Sequence, residues 1–257
     1  MGTGLVVNST PSRLLVYTCI AGGYDEPRPP RVDAPGIDFV CLSDRPTEVP
    51  APWVVRQLPA MALGAAELNR YAKMHPHLIF PEAAKSVYVD GNIQVVGDPT
   101  PLVDQALVTH DLALYQHPFR DCIYLEAEEC AAIGHAWSRT VRRQMRGYAA
   151  AGFPAGQGLF EAGVIVRRHA SPAVQRLMAA WWSAYLGGVR RDQLSLPFLA
   201  WQLGVPIGNL GPSDPRYAHR YFRLAEGHRR PLSGWLLTRG RLNRLWDRVA
   251  GRARSLD

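Results

Sequence analysis

The sequence predicts a layered α/β fold, and three observations carry that reading. Short apolar runs alternate with stretches of helical period along most of the chain. Two of those runs finish on a carboxylate, Asp44 and Asp90, the position from which open α/β sheets meet their ligands. No internal repeat or low-complexity block interrupts the pattern. At 257 residues the chain is long enough for one large α/β domain or two small ones.

Leu14 to Ile20 reads as the first strand, followed by Ala21-Gly22-Gly23-Tyr24-Asp25 and a proline-rich loop. The paired glycines permit a close backbone approach to a ligand, but no G-x-G-x-x-G dinucleotide fingerprint is present. Asp38 to Asp44 and Trp53 to Leu58 read as further strands. Ala62 to Met74 reads as a helix on which Arg70 and Lys73 share a face. His75-Pro76 is expected to stop it, because proline disfavours the helical conformation in the residue before it.

The stretch Ser86 to Val95 is the organising one. Val87, Tyr88 and Val89 suit a packed strand, Asp90 emerges at its end, Gly91 allows close approach and Asn92 adds a neutral oxygen. An Asp-Gly turn in a plain hairpin gives the same local pattern. Beyond it, Asp98-Pro99 opens a helix to about Leu107, and Asp111 to Tyr115 reads as a strand. Cys122 to Ile133 and His135 to Ala151 read as helices, and Glu161 to Arg167 as a strand.

Ser171-Pro172 starts another helix. Its Val174, Leu177, Met178, Trp181, Trp182 and Tyr185 form an apolar stripe. Core packing explains the adjacent tryptophans better than carbohydrate stacking. Asp192 is expected either to cap the next helix, through about Leu203, or to serve the site; Pro206 to Leu210 closes the strand series.

Composition narrows the function. No window reaches the roughly 20 apolar residues of a membrane span. Residues 1–12 lack the basic start and apolar core of a signal peptide, and a disordered leader in a cytoplasmic protein is expected. Four cysteines without a C-x-x-C pair indicate buried thiols rather than a zinc or redox motif. The net charge of +7 suits anionic partners. From His228 to Asp257 eight arginines stand against two aspartates, so much of the excess belongs to the tail. No nucleic-acid-binding motif accompanies it. A serine hydrolase is disfavoured by the lack of a G-x-S-x-G elbow.

Several separate stretches resemble the TOD/MUCI-type glycosyltransferase-like family, within the GT-A glycosyltransferases. They include Asn69-Arg70-Tyr71-Ala72-Lys73, Lys73 to Pro81, Tyr88-Val89-Asp90-Gly91-Asn92 and His117-Pro118-Phe119-Arg120 with Tyr124 and Glu126. Gly158 to Glu161, Arg167-Arg168-His169, Trp181-Trp182 and Arg191 to Ser195 continue the series. The resemblance implies a GT-A-like mixed sheet flanked by helices, in a single domain over residues 13–227. It implies sugar transfer from a nucleotide sugar to a glycan, lipid or protein acceptor. The alternative is a nucleotide-sugar-binding protein of the same fold without catalysis.

The same resemblance implies site roles. Asp90 and Asn92, with His228 as a third ligand, would hold Mn²⁺ or Mg²⁺; Asn92 stands where the family's D-x-D has its second carboxylate, and an amide is a weaker ligand. Donor-binding residues would be Tyr24, Asp44, Arg70, Lys73, Asp90, Gly91, His117, Arg120 and Gln193. Catalytic carboxylates would come from Asp192, Glu161 and Glu126.

The tail, residues 228–257, places Trp235, Leu242, Leu245, Trp246 and Val249 on one helical face among arginines. That face fits either an anionic membrane surface, which would make the protein peripheral at the inner face of the membrane, or packing on its own domain or a second subunit.

Overall fold

The computed structural model describes residues 13–225 and 234–254, with side chains described through Val249. The expected leader and His228 lie outside the described residues. Seven strands form one mixed sheet in the order β3-β2-β1-β4-β7-β6-β8. They are β1 (Leu14–Ile20), β2 (Ile37–Ser43), β3 (Val54–Gln57), β4 (Ser86–Val89), β6 (Leu112–Gln116), β7 (Phe160–Arg167) and β8 (Gly208–Asn209). A separate two-stranded ribbon pairs β5 (Ile93–Val95) with β9 (Phe222–Leu224). The helices are α1 (Ala65–Met74), α2 (Pro76–Ile79), α3 (Thr100–Ala106), α4 (Ile123–Ala132), α5 (Ser138–Ala150), α6 (Pro172–Gly187), α7 (Leu196–Leu203) and α8 (Gly234–Arg254). The expected mixed sheet flanked by helices is therefore the fold observed.

Side-chain alternation builds the layers. Leu15, Tyr17 and Cys19 of β1 enter one core, while Leu14, Val16 and Ile20 enter the other. β4 repeats this, with Tyr88 on the first side and Val87 and Val89 on the second. The first core takes in Trp181, Leu177 and Met178 of α6, Val141 and Met145 of α5 and Phe198 of α7. Trp181 is fully buried, as the packing reading expects. All four cysteines are buried and free.

Topology decides where the chemistry gathers. Strands β1 to β4 pair parallel, so their carboxyl ends share one edge. β7 is antiparallel to β4, so its amino-terminal residues reach that same edge. The amide of Asp90 bonds the carbonyl of Gly163 at 2.8 Å and ties the two together. The β6–β7 register shifts between Leu114 and Tyr115, and Glu161 comes to lie opposite Tyr115.

His75-Pro76 ends α1 at Met74, as expected, and a separate short helix, α2, begins at Pro76, where a missing amide hydrogen is harmless. Asp192 does not cap α7; it lies in a 3-10 turn, Asp192–Leu194, and Ser195 holds the N-cap. The strand ends at Asp90 as expected, and because β4 and β5 on either side of that turn belong to different sheets, the turn is not that of a plain hairpin. β9 has no counterpart in the sequence reading.

His75 and His169 are buried in the fold, and His169 bonds Ser86 Oγ at 2.9 Å. Burial lowers each to a pKa of about 4. The unfolded chain takes up these protons near pH 6.5 and the folded chain only near 4, so stability falls as pH drops through that window. The cost is on the order of 2–3 kcal/mol per ring. Urea unfolding at pH 7 and pH 5 should show this loss, and His169→Gln should flatten the slope; equal stability at the two pH values would contradict it.

Candidate active site

A cleft of about 170 Å³ opens beside the end of β4. Arg70, Lys73, Asp90, Asn92, Glu161, Arg191, Asp192, Gln193 and Arg216 supply its charged and amide groups, and Tyr115 and Gly163 also line it. The cations come from three regions: the last turns of α1, the segment before the 3-10 turn, and the loop after β8.

Lys73 is the buried centre, with 1% exposure. Its Nζ lies 2.9 Å from Asp192 Oδ2 and 3.4 Å from Asp90 Oδ1. Arg70 Nε stands 3.0 Å from the same Asp192 oxygen, an ionic contact that is not aligned as a hydrogen bond. Burial acts to raise the Asp192 pKa, but Lys73 and then Arg70 outweigh it and hold the carboxyl well below the usual range. Its other oxygen accepts the Gln193 amide at 3.2 Å. Trp181 Nε1 donates to the Asp192 carbonyl at 2.7 Å, so the α6 tryptophan fixes the turn that carries the carboxylate. Both oxygens being engaged, Asp192 is built to hold cations rather than to take a proton.

Asp90 accepts the Tyr88 hydroxyl at 2.9 Å on Oδ1. Burial, then the Asp90 charge, pushes the Tyr88 pKa well up, so the hydroxyl stays a donor. A Cβ at Gly163 would come 3.0 Å from Ile93 Cδ1 and 3.4 Å from Asp90 Oδ2; glycine there leaves the second Asp90 oxygen clear. Glu161 lines the cleft and bonds Arg216 Nε through Oε1 at 2.6 Å.

Other expected residues go elsewhere. Asp44 accepts the Gly22 amide with both oxygens at 3.1 Å. Gly22 and Gly23 have φ of +66° and +62°, and the close neighbours they permit are Ala65 and the Arg45 guanidinium. The close approach expected of that glycine pair is thus made within the protein. Tyr24 is exposed and is not among the cleft-lining residues. Gly91 serves the backbone: a Cβ there would lie 3.0 Å from Asp25 Cβ.

Glu126 is buried in a cluster of its own, outside the cleft lining. It takes Arg120 Nε at 2.6 Å, lies 3.8 Å from His117 Nε2 and accepts Cys130 Sγ–H at 3.5 Å. Burial lowers the His117 pKa against the opposing pull of Glu126. His117, Arg120 and Glu126 thus brace one another beside the site.

Sequence reasoning assigned no role to Arg191 or Arg216. Arg191 sits beside Asp192 in a stretch already singled out. Arg216 follows Ser213-Asp214-Pro215, a turn signal that marks a loop but assigns no role to the arginine after it. Asp214 is buried and accepts the amides of Arg220, Tyr221 and Phe222 at 2.8, 2.9 and 2.7 Å. Those bonds fold the loop that brings Arg216 over the cleft.

The cationic cleft thus lies at the carboxyl edge of a mixed α/β sheet, where such sheets meet their ligands. The TOD1/MUCI70, glycosyltransferase-like domain family matches residues 54–210, and the chain belongs to that family. No curated protein sequence matches it. Among solved structures it is similar to the WbbM bifunctional glycosyltransferase in its apo form: 13% identity, 73% of this chain, 38% of that one and a TM-score of 0.45. It is similar to the glycosyltransferase GlyE of Streptococcus pneumoniae TIGR4: 13% identity, 77% of this chain, 45% of that one and a TM-score of 0.41. It is also similar to the galactosyltransferase LgtC in complex with donor and acceptor sugar analogs: 13% identity, 90% of this chain, 95% of that one and a TM-score of 0.47. This chain therefore spans less than half the length of the first two.

Proposed function

We propose that the protein transfers a sugar from a nucleoside-diphosphate donor bound in this cleft. The observation that carries the reading is the convergence of Arg70, Lys73, Arg191 and Arg216 on one cleft beside Asp90, in a chain of a glycosyltransferase-like family. Breaking the bond between the anomeric carbon and a diphosphate puts negative charge on the leaving phosphate. Guanidinium and ammonium groups fixed in advance stabilise that charge. Asp192 is a positioning residue that holds Lys73 and Arg70 in place, and Gln193 and Asp90 face the donor. Glu161 is the carboxylate placed to receive the acceptor hydroxyl's proton, once substrate draws Arg216 away.

Asp90 and Asn92 line the cleft as the expected ligands of Mn²⁺ or Mg²⁺. Among the described residues no group of three or more His, Cys, Asp or Glu side chains is placed to hold a metal. Asp90 Oδ2 and the Asn92 amide oxygen therefore fit such an ion only with donor phosphates completing its coordination, a habit of Mg²⁺. When bound, the ion would neutralise the leaving diphosphate. The non-catalytic alternative draws on the engaged Asp192 carboxylate and predicts donor binding without transfer.

A thermal-shift screen of nucleotide sugars, with and without Mn²⁺, tests the donor site. At least one donor should raise the melting temperature, and Arg191→Gln should weaken it about tenfold, as losing a charge-assisted bond to phosphate does. Product formation then separates transfer from binding alone. No shift with any nucleotide sugar or nucleoside diphosphate would overturn the reading.

The C-terminal helix supports a peripheral membrane role. α8 docks through its polar face. Asn243 is buried and donates to the carbonyls of Ala131 and Ala136, both at 2.8 Å, while its Oδ1 accepts the Ser138 amide at 3.1 Å. It thereby satisfies backbone groups at the end of α4 and the start of α5. Gly240 lets the helix lie close: a Cβ there would sit 2.8 Å from the Ala132 carbonyl oxygen. Trp235, Leu242, Leu245, Trp246 and Val249 point to solvent with 45–59% exposure, and Arg241, Arg244 and Arg248 are exposed beside them. Packing on its own domain and an outward apolar face are therefore both present.

No described helix is long and apolar enough to cross a membrane. The outward face suits instead an anionic bilayer surface, with tryptophan at the headgroup level and arginine beside it. Co-sedimentation should be stronger with phosphatidylglycerol-containing than with phosphatidylcholine vesicles, and Trp235→Ser with Trp246→Ser should reduce it about tenfold. Equal sedimentation of wild type and variant would exclude this role.

A further inference from the structure

A second basic pocket lies next to the cleft and has no part in the donor chemistry above. Arg28, Pro29, Arg31, Gln94, Arg223, Leu224 and Ala225 line about 310 Å³ of space. Three of the seven are arginines, and none of the described residues lining the pocket is acidic. Leu224 lines both this pocket and the cleft, so the two adjoin.

The pocket is braced by hydrogen bonds rather than left to a slack loop. Gln94 and Arg223 are paired across the β5–β9 ribbon. The proline-rich loop is fastened at three points. Trp53 Nε1 donates to the Arg28 carbonyl at 2.8 Å, Gln94 Nε2 to the Pro29 carbonyl at 2.7 Å, and the Arg31 amide to the Val95 carbonyl at 2.9 Å. Trp53 itself is buried against Phe39, with ring centroids 5.3 Å apart. The backbone from which Arg28 and Arg31 project is therefore set in advance. Planar guanidinium forks presented together match a phosphate or carboxylate bound through paired hydrogen bonds.

We propose that this pocket binds an anionic sugar unit, a monosaccharide bearing phosphate or carboxylate, and that it is the acceptor side of the transfer site. At about 310 Å³ the pocket has room for a sugar unit. The shared Leu224 wall leaves a neighbouring sugar hydroxyl at the cleft. The word acceptor rests on the donor reading given above; the anion binding does not, and is measured without any donor.

Isothermal titration of the whole protein with galactose, galactose 6-phosphate and galacturonate provides the test. At least one anionic sugar should bind about tenfold or more tightly than galactose, and the better one identifies phosphate or carboxylate as the recognised group. Arg28→Ala combined with Arg31→Ala should remove about tenfold of that affinity, while Arg191→Gln in the cleft should leave it within about threefold. Unfolding midpoints of the variants report that the fold persists. Anionic sugars binding no better than galactose, or a loss that follows Arg191→Gln rather than the pocket pair, would overturn the proposal. Anionic-sugar binding together with failure of every nucleotide sugar would leave this pocket standing and remove only its acceptor role.

Discussion

The ammonium of Lys73, sealed between Asp192 at 2.9 Å and Asp90 at 3.4 Å, is the contact on which the rest of the site depends. A buried charge is tolerated only when it is paired and hydrogen-bonded. That requirement joins three elements far apart in sequence: the last turn of α1, the end of β4 and the 3-10 turn after α6. Trp181 holds the turn, Tyr88 holds Asp90, and the Tyr88 ring lies 5.2 Å from the same ammonium. Behind it Tyr17 meets Tyr88 edge-on at 5.3 Å, and the fully buried Arg167 bonds the Tyr17 hydroxyl. Charge and aromatic faces thus alternate from the cleft into the core. The cleft and the first hydrophobic core are one construction.

Much of the fold was legible because burial is periodic. Leu14 to Ile20 and Phe160 to Arg167 are strands whose alternate side chains feed two cores, and apolar runs announce that directly. Arg70 and Lys73 were legible as a pair by helical spacing. The partner of that pair was not. An aspartate ahead of a helical pattern looks the same whether it caps the helix or reaches a lysine 119 residues away. The enclosure of Glu126 was not legible for a related reason: its neighbours Leu125 and Ala127 give no sign that Arg120, His117 and Cys130 will surround it. Arg216 was invisible because Asp214 positions it through backbone amides, and amides leave no trace in side-chain pattern.

The C-terminal helix inverts the usual logic of an amphipathic helix. Asn243, Arg239 and Asp247 face the domain, where Arg239 bonds the Gly134 carbonyl and Asp247 pairs with Arg142 at 2.9 Å. The apolar stripe faces outward. Polar docking works here because helices α4 and α5 present unsatisfied backbone groups at their junction. Taken with the cationic cleft and the arginine pocket beside it, the protein presents basic chemistry on several surfaces. Each of them suits a phosphate-bearing or otherwise anionic partner.

The central claim is that Lys73 and Asp192 stabilise the structure as a pair. A double-mutant cycle in urea, with Lys73→Met, Asp192→Leu and both together, measures it most directly. Each single change should cost about 3–5 kcal/mol, because the buried charge that remains keeps only its second partner, Arg70 for Asp192 or Asp90 for Lys73. The double variant should fall short of their sum by at least about 2 kcal/mol, because the attraction within the pair is then lost once rather than counted twice. Additive losses would contradict the account.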